Sequence, residues 1–145
     1  MNKSITTKHP IAATAATAEA VWQLLRDGSG VDAWLPIVTA CRIDGDKRVC
    51  EVEGGQLDET ILRSDDATRT FVYRIDAQPL FPATDITGTM RVEPAGPNAC
   101  TLHWGVDLTL LDPEAWEQVR AGTEQLYAAG AQQLERLARD GAVAA

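Results

Sequence analysis

Hydrophobic and polar positions change period twice along the chain. From Lys3 to Ala12, a Thr-rich stretch mixes polar residues with Ile5, His9 and Ile11, which suits a strand half exposed to water. Thr17 then stands where a hydroxyl can cap the free N–H groups of a short helix over 18–28. Glu19 meets the positive end of that helix, Val21, Leu24 and Leu25 share one face, and Gly28 marks the stop. Residues 29–36 allow only another turn or two, because Pro36 disfavours helical geometry at Leu35. A second, very short helix is predicted there.

Beyond Pro36 the period becomes two, with turn signals at Asp44-Gly45-Asp46, Glu53-Gly54-Gly55, Ser64-Asp65-Asp66, Pro79 to Pro82 and Pro94 to Asn98. Six strands follow, near residues 37–44, 47–53, 57–63, 69–77, 84–93 and 99–110, each joined to the next by a hairpin-sized connection. Asp112-Pro113-Glu114 opens a long helix with a capping carboxylate and a proline in the first turn, and Gly141 supplies its stop. Along it Trp116, Val119, Thr123, Leu126, Tyr127, Gly130, Leu134 and Leu137 recur every three or four residues, so one face is apolar. Residues 142–145 are expected to fray.

This order is an α+β architecture: a seven-stranded curved antiparallel sheet wrapped around a long C-terminal helix, with two short helices after the first strand. The sheet has one apolar face to hide, and that helix is the only element long enough to cover it. A lone helix about 10 Å wide leaves part of the concavity unfilled, so a space is expected between them.

Composition narrows the function classes. The 145 residues form one domain, 1–145, large enough to fold without disulfides or a structural metal. A formal net charge of −8 repels phosphate backbones and anionic lipid heads, so nucleic acid is not an expected partner. No apolar run approaches the roughly 18 residues of a membrane span and no signal core opens the chain, which points to a cytoplasmic protein without membrane insertion. Cys41, Cys50 and Cys100 lack metal-ligand spacing and read as reduced thiols. Cys41 and Cys50 would stand opposite each other if the turn centres on Gly45-Asp46, as two core thiols or as an oxidised pair. His9 and His103 fall on separate strands and are expected at the surface, with no metal site. No phosphate-cradling loop, dinucleotide fingerprint or nucleophile elbow occurs, so neither a cofactor nor covalent catalysis is expected.

Short motifs add a resemblance covering nearly the whole chain. Ala18-Glu19-Ala20-Val21-Trp22, Leu57-Asp58-Glu59-Thr60-Ile61 followed by Asp65-Asp66, Phe71-Val72-Tyr73-Arg74-Ile75 and Thr101-Leu102-His103-Trp104 resemble the START/Bet v 1-like (SRPBCC) superfamily, its polyketide cyclase/dehydrase-like branch above all. The resemblance implies a helix-grip fold with a cavity for an apolar small molecule, in a superfamily of lipid carriers, hormone receptors and aromatase/cyclases.

Strand alternation indicates which residues line that cavity. Cys100, Leu102, Trp104, Val106, Leu108 and Leu110 form an inward set, and Phe71, Tyr73 and Ile75 face the helix. Tyr73 is a pocket hydroxyl or a core tyrosine bonded at the rim. Glu59 shares a face with Leu57 and Ile61, which puts a carboxylate inside that needs a water, hydroxyl or ligand partner, or else at the rim. By resemblance, the plant hormone receptors carry a glutamate at the matching place in their pocket, and Leu35-Pro36 replaces their ligand-pairing lysine, which disfavours a carboxylate-bearing ligand.

Asp85 and Thr87 face inward unless Ile86, Met90 and Val92 take that face through a bulge. Two inward carboxylates close together, Glu59 and Asp85, would share a proton near neutrality and could do acid–base work. Thr123, Leu126, Tyr127 and Gly130 bring the helix face to the cavity. Glu53-Gly54-Gly55-Gln56 and Pro79-Leu80-Phe81-Pro82 are expected side by side at one end of the sheet, as gates carrying apolar Leu80 and Phe81 or as ordinary turns.

The sequence therefore predicts binding of a polyketide, sterol or fatty-acyl type of molecule by Glu59, Tyr73, Ile75, Asp85, Thr87, Trp104, Leu80, Phe81, Thr123, Leu126, Tyr127 and Gly130. An enzyme alternative is a cofactor-free cyclase, aromatase or dehydratase with Glu59 or Asp85 as base and Tyr73 as acid. A third reading is a ligand-gated partner-binding subunit, a homodimer among the assemblies it allows.

Overall fold

The computed structural model describes residues 1–13 and 17–144, with side chains to Gly141. Strands β1 (Asn2–Ala12), β2 (Val38–Asp44), β3 (Lys47–Val52), β4 (Gly55–Asp65), β5 (Thr70–Ala77), β6 (Ala83–Pro94) and β7 (Ala99–Leu110) form one antiparallel sheet in the order β1-β7-β6-β5-β4-β3-β2. Helix α1 (Thr17–Leu25) and a 3-10 turn over Val31–Ala33 precede β2, and α2 (Trp116–Ala144) ends the chain. This is the helix-grip fold expected. Each hairpin connection joins neighbours in the sheet, and only β1 pairs across the chain, with β7. The sheet edges are thus β1 and β2.

Alternation decides what is buried. Cys100, Leu102, Trp104, Val106, Leu108 and Leu110 of β7 all point into the core, as do Ile86, Met90 and Val92 of β6 and Phe71 and Tyr73 of β5. The apolar stripe of α2 covers them through Val119, Tyr127, Ala131, Leu134 and Ala138. Its 29 residues span about 44 Å.

Two glycines shape this interior by lacking a side chain. Gly88 lies opposite Tyr73 in the β5–β6 register, and a Cβ there would meet the Tyr73 ring at 2.2 Å. The phenol therefore lies flat across β6. Gly130 lets the Trp104 ring approach α2, where a Cβ would stand 3.1 Å from it.

Several elements differ from the pattern-based expectation. Thr17 is the first residue of α1 rather than its cap, and its hydroxyl accepts a bond from the Ala13 N–H at 3.4 Å. The Ala/Thr-rich approach at 14–16 lies outside the described residues. Gly28 closes the α1 region with φ +78°, whereas Gly141 has no positive φ and α2 runs through it. Glycine in a helix costs about 1 kcal/mol but stops it only when it turns left-handed. Of the tail expected to fray, 142–144 are helical and Ala145 lies outside the described residues. His9 is half-buried on the inward side of β1, in a groove with Ala131 and Glu135 of α2, and burial lowers its pKa.

The Asp65-Asp66 motif has a structural task. Asp66 accepts from Trp22 Nε1 at 2.8 Å and from Arg26 Nε and Nη2 at 3.0 and 2.9 Å, clamping α1 to the β4–β5 turn. Ser64 Oγ adds a bond to the Arg26 carbonyl. The Arg26 hydrogen bond, then that of Trp22, holds the Asp66 carboxyl at about 2. A lowered folded-state value means that the clamp acts fully above the unfolded value and weakens as pH falls from about 4 to about 2. Urea denaturation should thus find Asp66→Asn less stable than wild type at pH 7, with the gap reduced to less than half by pH 2.5. An equal gap at both pH values would refute the clamp.

Candidate functional site

A cavity of about 80 Å3 remains between the sheet and α2. Its wall is mostly apolar, formed by Leu35, Ile37, Leu57, Ile75, Ile86, Met90, Val106 and Leu108 with Trp34, Trp104 and Tyr127. Trp104 stacks on Tyr127 with ring centroids 3.8 Å apart and a 6° interplanar angle, and meets Trp34 edge-on at 5.6 Å. These rings fill much of the concavity that a slender helix leaves. The remaining volume holds about five waters at ~15 Å3 each, well short of the ~300 Å3 of a drug-sized pocket.

One side of the wall is charged. Arg48 of β3 and Glu59 of β4 are directly opposed in the register, with side chains only 6% and 4% exposed. Arg48 Nε donates to Glu59 Oε1 at 2.8 Å and Arg48 Nη1 donates to the Gly28 carbonyl at 3.0 Å. The guanidinium also sits 5.3 Å from the ring centres of both Phe71 and Tyr73. Burial works against the Arg48 charge, yet attraction to Glu59 and their hydrogen bond prevail and raise its pKa. The Cys50 thiol lies 3.5 Å from the same Glu59 oxygen and lines the cavity beside it.

Tyr73 supplies the hydroxyl of this wall and accepts from Trp104 Nε1 at 3.2 Å. Burial raises the pKa values of Tyr73 and Tyr127, so both phenols keep their protons at neutral pH. Trp34 Nε1 is buried with no partner among the described side chains.

Leu80, Phe81, Thr123 and Leu126 line another part of the cavity. The same four residues line an outer groove of about 320 Å3 between the 79–82 loop and α2, so they partition an inner space from an open one. Leu80 is 43% exposed despite its apolar side chain. Gln78 braces this loop, accepting from the Leu80 and Phe81 N–H groups at 2.7 and 3.0 Å and donating to the Phe81 carbonyl at 2.7 Å. The Pro79 ring lies over Gly55, where a Cβ would be 3.3 Å from it, which brings the two glycine- and proline-rich loops together.

Glu59, Tyr73, Ile75, Leu80, Phe81, Trp104, Thr123, Leu126 and Tyr127 therefore share one cavity. Three expected residues do not. Asp85 is exposed, with φ +52° in a bulge between Thr84 and Thr87, and Thr87 turns to the outer face. The bulge lets Ala83 and Ile86 both point inward, and the apolar residues win that face. No Glu59–Asp85 pair exists in the cavity. Gly130 lies behind the Trp104 ring rather than in the lining. Arg48 was missed by sequence reasoning, although its alternation with Cys50 and Val52 signals an inward position. Among the described residues no three His, Cys, Asp or Glu side chains group to hold a metal ion, and no helix is long and apolar enough to cross a membrane.

Residues 4–139 match the model of a family described as polyketide cyclase/dehydrase and lipid transport. No curated protein sequence matches the chain. Among solved structures, an uncharacterised protein from Bacillus thuringiensis is similar at TM-score 0.79 and 22% identity, over 92% of this chain and 97% of its own. A truncated norcoclaurine synthase from Thalictrum flavum is similar at TM-score 0.74 and 18% identity, over 94% and 93%. The Zhui aromatase/cyclase from Streptomyces sp. R1128 is similar at TM-score 0.74 and 19% identity, over 95% and 94%. At these identities the likeness concerns the fold.

Removing one member of a buried ion pair leaves the other uncompensated, at a cost of about 3–5 kcal/mol. Arg48→Met alone should lose about that much in urea denaturation, while Arg48→Met with Glu59→Leu should recover most of it. Additive losses in the double variant would mean that the two charges are not coupled.

Proposed function

The chain belongs to the polyketide cyclase/dehydrase and lipid transport family, and from the cavity between its sheet and α2 we propose that it binds a small aromatic or polyketide-type molecule there. The observation that carries this reading is the composition of the wall. Rings and aliphatic side chains surround the space, and a single polar side holds Arg48, Glu59 and Tyr73. Apolar burial supplies affinity: about 200 Å2 of ligand surface at ~25 cal/mol per Å2 contributes about 5 kcal/mol before ordering costs. The polar side sets orientation.

At about 80 Å3 the cavity is smaller than the ~150 Å3 apolar cavity that takes a benzene ring, so even the leading ring of such a molecule requires some expansion of the wall. A longer ligand requires Leu80 and Phe81 to swing outward, which merges the inner space with the groove they share. A rigid sterol needs the same opening along its whole length, so a flat, narrow molecule is favoured over it.

A second reading draws on the same wall. Tyr73 keeps its proton while Glu59 is a carboxylate held by Arg48, so a proton donor and an acceptor border one cavity. A cofactor-free cyclase or dehydratase would use them in those roles.

Native mass spectrometry of freshly purified protein should reveal a co-purifying small molecule, and Nile red should be taken up saturably with quenching of tryptophan fluorescence. Phe81→Ala should accelerate dye entry and exit about tenfold, or about 1.4 kcal/mol off the barrier, with a smaller effect on Kd. Absence of saturable uptake sinks the binding proposal. Turnover of a poly-β-ketone mimic that is abolished by Glu59→Gln, with binding retained, would establish the cyclase reading instead.

A further inference from the structure

Cys41 and Cys50 stand opposite each other in the β2–β3 register, joined by a two-residue turn in which Gly45 takes φ +63°. Their sulfurs are 2.9 Å apart. That is about 0.9 Å beyond an S–S bond, a gap that small side-chain rotations close. The two thiols differ in setting. Cys41 is half-buried on β2, an edge strand with no neighbour on its far side, whereas Cys50 is buried and lines the cavity. Cys100, the third cysteine, is buried on β7, at the other side of the sheet order.

We propose that Cys41 and Cys50 form a reversible disulfide in response to a peroxide, and that this pair is a redox control on the cavity wall. The Cys41 thiolate attacks one oxygen of hydrogen peroxide, breaking the O–O bond and giving a sulfenic acid and, after protonation, water. The Cys50 sulfur then attacks Cys41 Sγ, the S–S bond forms, and the hydroxyl leaves as a second water with the Cys50 proton. Two thiols lose two electrons and one peroxide gains them. Glu59, 3.5 Å from Cys50 Sγ, is placed to take the Cys50 proton on the way. Burial raises the Cys50 pKa, which agrees with Cys41 as the attacking thiol.

Oxidation has a consequence inside. The disulfide removes the Cys50 S–H from Glu59 and fixes its sulfur to the edge strand, so Arg48 is left as the remaining side-chain partner of that carboxylate. The effect on ligand affinity rests on the binding role proposed above; formation of the disulfide does not.

Wild-type protein treated with hydrogen peroxide should lose two of its three titratable thiols and the mass of two hydrogen atoms, with peptide mapping linking Cys41 to Cys50 and dithiothreitol reversing both. Cys41→Ser should neither lose the mass of two hydrogen atoms nor yield the linkage. Retention of all three thiols, or linkage through Cys100, overturns the proposal. Nile red binding read in parallel should shift at least threefold in Kd on oxidation of wild type and stay unchanged in Cys41→Ser. A disulfide that leaves Kd unmoved keeps the redox pair and overturns its control of the cavity, while a lack of dye binding in both states bears on the binding role alone.

Discussion

A guanidinium and a carboxylate face each other across β3 and β4 with almost no access to water, and the form of the cavity wall follows from that pair. Neither charge is tolerable there alone. Arg48 is satisfied by Glu59, by the Gly28 carbonyl and by the faces of Phe71 and Tyr73, so one side chain ties together the end of the α1 region and strands β3, β4 and β5. The pair also pins register. A one-residue slip of β3 would turn Arg48 to solvent and leave Glu59 buried without its cation.

The opposite side of the cavity is set by rings and by the two positions that make room for them. Tyr73 can lie across β6 because residue 88 has no side chain, and Trp104 can reach Tyr127 because residue 130 has none. Once these rings are seated, what remains is a narrow space rather than a broad hollow. Its size is therefore governed less by the curvature of the sheet than by the rotamers of Leu80, Phe81 and Leu126, which separate it from the open groove beside α2. A braced loop holds that partition, with the Gln78 amide bonded to both backbone N–H groups of the Leu80-Phe81 pair. Displacing the Leu80-Phe81 backbone from Gln78 would cost those bonds, whereas rotation of the Leu80 and Phe81 side chains alone would not.

Most of the fold was legible because alternation and turn residues agreed along six successive strands. β7 carries an unbroken apolar set, so its facing admitted one answer, and Trp104 followed from it. β6 did not, since Asp85 and Thr87 competed with Ile86 and Met90 until a bulge at Asp85 resolved the conflict in favour of the apolar pair. Arg48 was overlooked for a different reason: its alternation with Cys50 and Val52 pointed inward, but a charged residue in a strand is read as outward unless a partner is known, and its partner lies on the next strand. Glu59 was found inside while its cation was not. His9 misled in the same way, because a polar ring on an edge strand can still lie under a helix.

The charges of the wall also constrain ligand class in a manner that composition did not foresee. The surface carries the net −8, but the cavity holds one positive and one negative group already neutralising each other. An anionic ligand near Arg48 would also meet the Glu59 carboxylate, and a cationic one near Glu59 would also meet the Arg48 guanidinium, so each attraction is offset by a like-charge repulsion beside it. A neutral molecule bearing a carbonyl or hydroxyl disturbs neither, and can still bond to the protonated phenols. Under the binding role proposed above, a preference for uncharged, ring-containing ligands would follow from the ion pair itself, without any cation at Leu35.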